Sequence, residues 1–372
     1  MYKITIIAGA RPNFMKIAPI IHEIENAKKN GHAIDYRLVH TGQHYDKNMS
    51  GDFFEQLQIP EPHANLECSG GSQAVQTANI MIAFEKELLA NPVDLVLVVG
   101  DVTSTMACAL VAQKLQTKVA HVEGGIRSND WTMPEEINRL VTDSITNYFF
   151  TTSETANKYL KESGVKENQI FFVGNTMIDT LLKQMPNFKA PKVWQELDLK
   201  EKGYIVMTLH RPANVDEENQ LKDMISEIMA HSCNMPVVFP VHPRTAKILE
   251  NLNIKHTRLH TVSPLSYLEF NYLVKHAKAV ITDSGGITEE ASIMNVPCMT
   301  LRDNTERPET ITLGTNELVG TNPKNIKPYL DKLFDGNWKQ SQDIPLWDGK
   351  TAARIVEAIL KFHNNNLKRF LD

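Results

Sequence analysis

A repeated alternation narrows the fold most. Short runs rich in Ile and Val, at residues 4–7, 36–40, 95–99, 119–122, 148–151, 205–209, 237–239, 279–282 and 298–301, are separated by longer stretches of helical character. Strands that read as continuous apolar runs must be covered on both faces, and helices between consecutive strands supply that cover while forcing parallel pairing. An α/β chain built from doubly wound, Rossmann-like parallel sheets is therefore predicted. Its 372 residues exceed what one core comfortably holds, so two domains are expected.

The alternation fades at residues 183–202, where Pro186, Asn187, Lys189, Pro191 and a run of Lys and Glu read as a polar linker. This sets one domain at 1–185 and a second at 203–351, with a final helical stretch at 352–372 expected to pack back on the first. An internal echo suggests that the halves are alike. Strand 95–99 runs into a loop opening Gly100-Asp101, and strand 279–282 runs into Asp283-Ser284-Gly285-Gly286, each followed by a helix. Two such domains facing a cleft would carry both loops at the carboxyl ends of their strands, where open α/β sheets bind ligands.

Composition excludes several classes. Lys and Arg total 39 against 44 Asp and Glu, a formal charge of -5, which disfavours a nucleic-acid-coating protein with its need for a basic face. The four cysteines, Cys68, Cys108, Cys233 and Cys298, have no CxxC spacing or adjoining His cluster, so neither a disulfide scaffold nor a structural metal is expected, and a reducing cytoplasm fits. The longest apolar runs, such as 93–99, are far shorter than a bilayer span, and residues 1–4 read as a strand rather than a signal peptide. No membrane partner is expected.

The loop 283–290 carries the most specific signal. Two glycines at a strand-to-helix turn allow close backbone approach, and the helix start offers N–H groups and a positive dipole end to a diphosphate. One turn on, Glu290 could accept hydrogen bonds from a ribose diol; a plainly capped helix behind a Gly turn is the alternative. Gly9-Ala10-Arg11-Pro12 follows the first strand, with Pro12 suited to a first helical position, Arg11 suited to phosphate oxygens and Lys16 adding charge a turn later. The glycines of GxGxxG are absent there, so a nicotinamide cofactor is not expected.

Three acids gather in the first half. Asp101 and Glu123 end consecutive strands and Glu135 lies just beyond, the arrangement that acid/base work at a sugar carbon needs. For Glu135 a second reading stays open, because Thr132-Met133-Pro134-Glu135 matches a capping box. In the second half His210, Arg211 and His242 close strands, and Arg302 and Arg307 follow another, so this half reads as built for a polyanion.

With these motifs in order, at 9–16, 41–44, 100–104, 121–128, 134–139, 210–211, 242–243, 283–291 and 302–309, the sequence resembles the non-hydrolysing, bacterial type of UDP-N-acetylglucosamine 2-epimerase. The resemblance implies two Rossmann-like domains in the glycosyltransferase-B arrangement. It also implies a UDP-sugar substrate, no cofactor or metal, and a homodimer. It carries the uridine and diphosphate contacts onto Arg11, Ser284, Gly285 and Glu290, with Gly286, Lys16, His242 and Arg307 beside them, and the catalytic roles onto Asp101, Glu123, Glu135 and His210. Gln43, Glu136, Arg211 and His242 match an effector site for a second substrate molecule, but Asp46 stands where the family pattern has Gln, so weak activation is expected. Asn13 replaces the usual Glu after Arg-Pro, residues 212–216 depart from the common pattern, and Gly124 replaces a common Ala.

The implied reaction expels UDP to give a 2-acetamidoglucal and adds it back with the C2 proton on the other face. Alternatives are a hydrolysing 2-epimerase releasing N-acetylmannosamine and UDP, a 2-epimerase of a UDP-diacetamido uronic acid, and a glycosyltransferase of the same fold. The motif Thr305-Glu306-Arg307-Pro308-Glu309 favours the N-acetylglucosamine enzymes over the uronic acid relative.

Overall fold

The structure, a computed structural model, describes residues 1–43, 54, 56–215, 217–241, 243–252, 254 and 256–369, with backbone alone for residues 11, 212, 213, 243, 244 and 363–369. Contacts divide the chain into two units, Met1–Thr180 with Pro345–Asp372, and Leu181–Ile344.

In the first unit the strands are β1 (Tyr2–Ala8), β2 (Ile34–His40), β3 (Ala64–Asn65), β4 (Leu95–Val99), β5 (Lys118–Val122), β6 (Tyr148–Thr151) and β7 (Ile170–Phe172). They form a parallel sheet in the order β3-β2-β1-β4-β5-β6-β7. The second unit holds β8 (Ile205–Thr208), β9 (Val237–Pro240), β10 (Leu259–Val262), β11 (Ala279–Thr282), β12 (Cys298–Thr300) and β13 (Asn316–Leu318), in the order β10-β9-β8-β11-β12-β13. The central strands are apolar because helices cover both their faces: all of β4, Leu-Val-Leu-Val-Val, is buried, as is all of β11. In each sheet the strand order reverses at one point, β1/β4 and β8/β11. That switch is where two diverging connections leave a crevice at the carboxyl ends of the strands.

The stretch read as a linker belongs to the second unit. Helix Lys192–Glu196 forms within it, and Val193 and Leu199 are buried in one apolar cluster with Tyr204, Val206 and Val280. The proline-rich composition misled because Pro191 serves as the N-cap of that helix. At the other end the return to the first unit occurs at Pro345, ahead of the helix expected from 352. Trp347 Nε1 donates to the Thr152 carbonyl at 3.2 Å, and the Asp179 carboxylate accepts the Thr351 and Ala352 amides at 3.1 and 2.8 Å, capping helix Thr351–Arg369. Phe362 of that helix stacks on Tyr148 with centroids 4.0 Å apart. Gly174, at φ +102°, is required here, since a Cβ would lie 2.1 Å from the Leu346 carbonyl oxygen.

Candidate functional site

In the first unit β1 ends at Ala8, and after Gly9 and Ala10 helix Arg11–Lys29 begins. Asn13, the departure from the family pattern, caps that start: its Oδ1 accepts the Gly9 and Ala10 amides at 3.0 and 2.9 Å, and its Nδ2 donates to the Val99 carbonyl at 3.2 Å. Asn13 thus ties the ends of β1 and β4 together across the switch point. The Arg11 side chain lies outside the described residues.

Lys16, expected to add charge at the phosphates, instead pairs with Glu123. Its Nζ is 2.7 Å from Glu123 Oε2, with both side chains largely buried. A turn of helix carries Lys16 up to Gly100, where a Cβ would come within 3.2 Å of its Nζ, so the side chain reaches the strand ends. Glu123 follows β5 with φ at 70°, the left-handed region that costs a non-glycine residue about 1–2 kcal/mol. Its amide bonds the Phe150 carbonyl at 2.9 Å. Gly124, the other departure, makes room for Phe149, whose Cδ1 would be 3.0 Å from an added Cβ.

Asp101 Oδ2 accepts from Arg139 Nη2 and Nε at 2.5 and 3.0 Å, and its carbonyl accepts from Asn138 Nδ2 at 2.8 Å. Helix Pro134–Ile145 therefore holds the Asp101 turn, and Glu135 stands half-buried in that helix's first turn. The capping box at Glu135 does not form. The helix begins at Pro134 with Met133 as its N-cap, and the Thr132 hydroxyl donates to Asp130 Oδ1 at 2.6 Å. Glu136 does the organising work, accepting the Ser128 amide and hydroxyl at 2.9 and 3.0 Å, the Asn129 amide at 3.1 Å and Arg139 Nη1 at 2.7 Å. Burial opposes its charge, but the Ser128 and Arg139 donors hold its pKa below the ordinary value.

Of the residues matched to an effector site, Glu136 is thus saturated by protein donors. Gln43 spends its Oε1 on the Ser104 amide and hydroxyl at 3.2 and 2.8 Å, capping helix Thr103–Lys114. The Arg211 amide is bound to Asp283 at 2.9 Å, and His242 and Asp46 lie outside the described residues.

In the second unit Asp283, at the end of β11, is fully buried and gathers the end of β8. It accepts the His210 amide at 3.0 Å, the Arg211 amide at 2.9 Å and Asn214 Nδ2 at 3.1 Å, and its Oδ1 is 2.7 Å from His210 Nδ1. Burial alone would raise its pKa; the His210 ring and the His210 and Arg211 amides hold it below the usual carboxylate range. The His210 side chain is 57% exposed, so fixing Nδ1 leaves Nε2 facing outward in one orientation. Sequence reading took Asp283 as the start of a phosphate loop and missed this orienting role. The available signal was an Asp and a His closing adjacent strands.

Helix Gly285–Ile293 starts at Ser284, whose side chain makes no capping bond, and an added Cβ on Gly286 would meet nothing within 4 Å. The first-turn amides are therefore open to an anion. The two arginines read as polyanion ligands are spoken for: Arg302 forks onto Glu306 at 2.9 and 2.8 Å, and Arg307 Nε is paired with Glu289. The expectation for Arg307 did not count the carboxylates that the same fold brings to it. Glu290 is buried, with Oε1 accepting from Tyr267 Oη at 2.8 Å and lying 3.5 Å from Asn271 Nδ2. Burial pushes its pKa up to about 7, against the pull of the Tyr267 hydrogen bond.

No group of three His, Cys, Asp or Glu able to hold a metal occurs among the described residues, and no helix there is long and apolar enough to cross a membrane.

Two switch points, each with an open loop and ordered ionisable groups, define an α/β protein of the glycosyltransferase-B class. A glycosyltransferase from Rickettsia africae shares the fold with a TM-score of 0.55 at 13% identity, covering 100% of this chain and 99% of that one. The family model for UDP-N-acetylglucosamine 2-epimerase matches residues 26–360. A UDP-N-acetylglucosamine 2-epimerase from Methanocaldococcus jannaschii is 40% identical over 370 residues, covering 96% of this chain and 98% of the relative. A UDP-2,3-diacetamido-2,3-dideoxy-D-glucuronate 2-epimerase from Pseudomonas aeruginosa is 39% identical over 363 residues, with 96% and 99% covered. The crystal structure of the M. jannaschii enzyme with UDP-GlcNAc and UDP matches with a TM-score of 0.84 at 40% identity, covering 96% of this chain and 99% of that one. The chain belongs to the UDP-N-acetylglucosamine 2-epimerase family of isomerases.

Proposed function

We propose that the chain interconverts UDP-N-acetylglucosamine and UDP-N-acetylmannosamine without hydrolysis. The observation that carries the reading is the set of acids at the carboxyl ends of β4 and β5 and in the helix beyond, with Asp101 held by Arg139 and Glu123 by Lys16, in a chain 40% identical to a UDP-N-acetylglucosamine 2-epimerase. The C2 proton of the sugar is not acidic enough to be lost alone. Breaking the C1–O bond to UDP and removing the C2 proton together gives neutral 2-acetamidoglucal and UDP. Re-addition returns UDP to C1 and delivers a proton to the opposite face of C2. Asp101, Glu123 and Glu135 supply the proton acceptors and donors. Arg11, the open helix start at Ser284, Gly285 and Gly286, and His210 serve the leaving diphosphate, and Glu290 the ribose.

Incubation with UDP-N-acetylglucosamine in deuterated water, followed by NMR, should give UDP-N-acetylmannosamine carrying deuterium at C2 with little free UDP. Free N-acetylmannosamine with stoichiometric UDP would move the chain to the hydrolysing class. Product without C2 deuterium would remove the elimination route. The P. aeruginosa relative, at 39% identity, supports a second reading, in which turnover occurs only with the UDP-diacetamido uronic acid.

We also propose a homodimer. Helix Gln73–Ala90 buries Ile80, Phe84 and Leu88 on one side and exposes Val75, Ile82 and Leu89, spaced by seven residues and so aligned on the other face. A two-fold axis would bury this stripe against its own copy. Light scattering should report twice the chain mass of 42.0 kDa, and Ile82→Glu should return the protein to a monomer; a monomeric parent chain at micromolar concentration would end the proposal.

A further inference from the structure

The buried hydrogen-bond network behind the acids contains a side chain to which neither sequence nor family description gives a role. His121 lies in β5, fully buried, two residues before Glu123. Its Nδ1 is 2.7 Å from Asp143 Oδ1 and its Nε2 is 2.8 Å from the Gly100 carbonyl oxygen. A backbone carbonyl can only accept, so Nε2 must carry a proton. The second Asp143 oxygen accepts the Gly125 amide at 3.0 Å and Arg127 Nη1 at 2.6 Å, so the carboxylate that meets Nδ1 is itself anchored to the loop after β5. Burial opposes the charge on Asp143, but the His121 and Arg127 contacts hold its pKa below the ordinary value.

We infer that His121 is a positioning residue whose ring clamps the Gly100–Asp101 turn to β5 and to helix Pro134–Ile145. The clamp acts on the acids through the backbone. Gly100 sits at φ +69° immediately before Asp101, and its amide bonds the Val122 carbonyl at 3.0 Å immediately before Glu123. Holding the Gly100 carbonyl therefore sets the spacing between two groups that must meet one sugar carbon, and a misplacement of about 1 Å in such a pair costs about a hundredfold in rate.

The kinetic half of this inference rests on the acid roles proposed above; the anchoring of the ring does not. In protein labelled with 15N histidine, long-range proton–nitrogen spectra should show one buried ring protonated on Nε2, and Asp143→Asn should shift the Nδ1 resonance of that same ring. His121→Gln, which can serve only one of the two acceptors, should lower kcat for C2 deuterium exchange by about ten- to a hundredfold with KM within about twofold and the circular dichroism unchanged. A buried ring with no proton on Nε2, or a folded His121→Gln with the parental kcat, would overturn the inference. If His121→Gln does not fold, the parent and Asp143→Asn spectra decide it. A parent chain with no C2 exchange on any UDP-sugar would defeat the acid roles while leaving the spectra to test the anchoring of the ring.

Discussion

Glu123→Gln should slow conversion of the UDP-sugar by about a hundredfold or more, the range that positioned acid/base groups contribute. The amide cannot take a proton, yet its oxygen can still accept from Lys16 Nζ, now 2.7 Å from the carboxylate, so the left-handed backbone at this residue keeps its side-chain partner and the unit should stay folded. UDP affinity measured by calorimetry should be nearly unchanged, because the diphosphate is retained in UDP and the lost group serves C2. That pattern, lower kcat with intact product binding, separates a proton-transfer role from a structural one. Asp101→Asn should behave alike, with Arg139 still bound to the remaining oxygen. Glu135→Gln is the most discriminating of the three: the capping alternative is removed by the Thr132–Asp130 bond, so full activity in that variant would leave Glu135 with no role in the reaction.

Asp283→Ala should be the most damaging change to the second unit. It strips the His210 and Arg211 amides, Asn214 Nδ2 and the His210 ring of one fully buried acceptor, and breaking such a network by removing a single partner costs about 3–5 kcal/mol. Urea unfolding followed by tryptophan fluorescence should show this loss, together with a loss of turnover because His210 is no longer oriented. The linkage has a definite sign. The folded pKa of Asp283 is depressed, so its contribution is complete above the unfolded carboxylate value of about 3.9 and disappears as the pH falls from there through the folded value. Parent stability should therefore drop more steeply with acidification below about pH 5 than that of Asp283→Asn, which has no charge to titrate. Equal slopes in the two proteins would show that the buried carboxylate is not held ionised by its donors.

Both predictions depend on partners that the sequence did not announce, and the reason is physical. Nine strands are readable from the chain because each is covered by helices on both faces and so must be continuously apolar; β4 and β11 are the plainest cases. Among the described residues, the four strands that the pattern does not reveal are β3, β7, β10 and β13, and they are the outer strands of the two sheets. An edge strand meets a neighbour on one side only and is less deeply covered, so Leu259–Val262 and Asn316–Leu318 can carry polar residues and short lengths without penalty. Loop chemistry is legible for a related reason. Residues after a strand of a parallel sheet fall at its carboxyl end, which puts Gly9, Asp101, Glu123, His210 and Ser284 at the ends of their strands before any coordinates are known. Charge pairing has no such local rule. Lys16 reaches Glu123 across 107 positions, Arg307 meets Glu289 on another helix, and Asp283 gathers the end of β8 from the neighbouring strand, 73 positions away in sequence. Residue type and order determined the fold class and the ends of strands where chemistry gathers. Which cation meets which carboxylate was decided only by tertiary structure, because that depends on the distance between elements that the sequence separates and the sheet brings together.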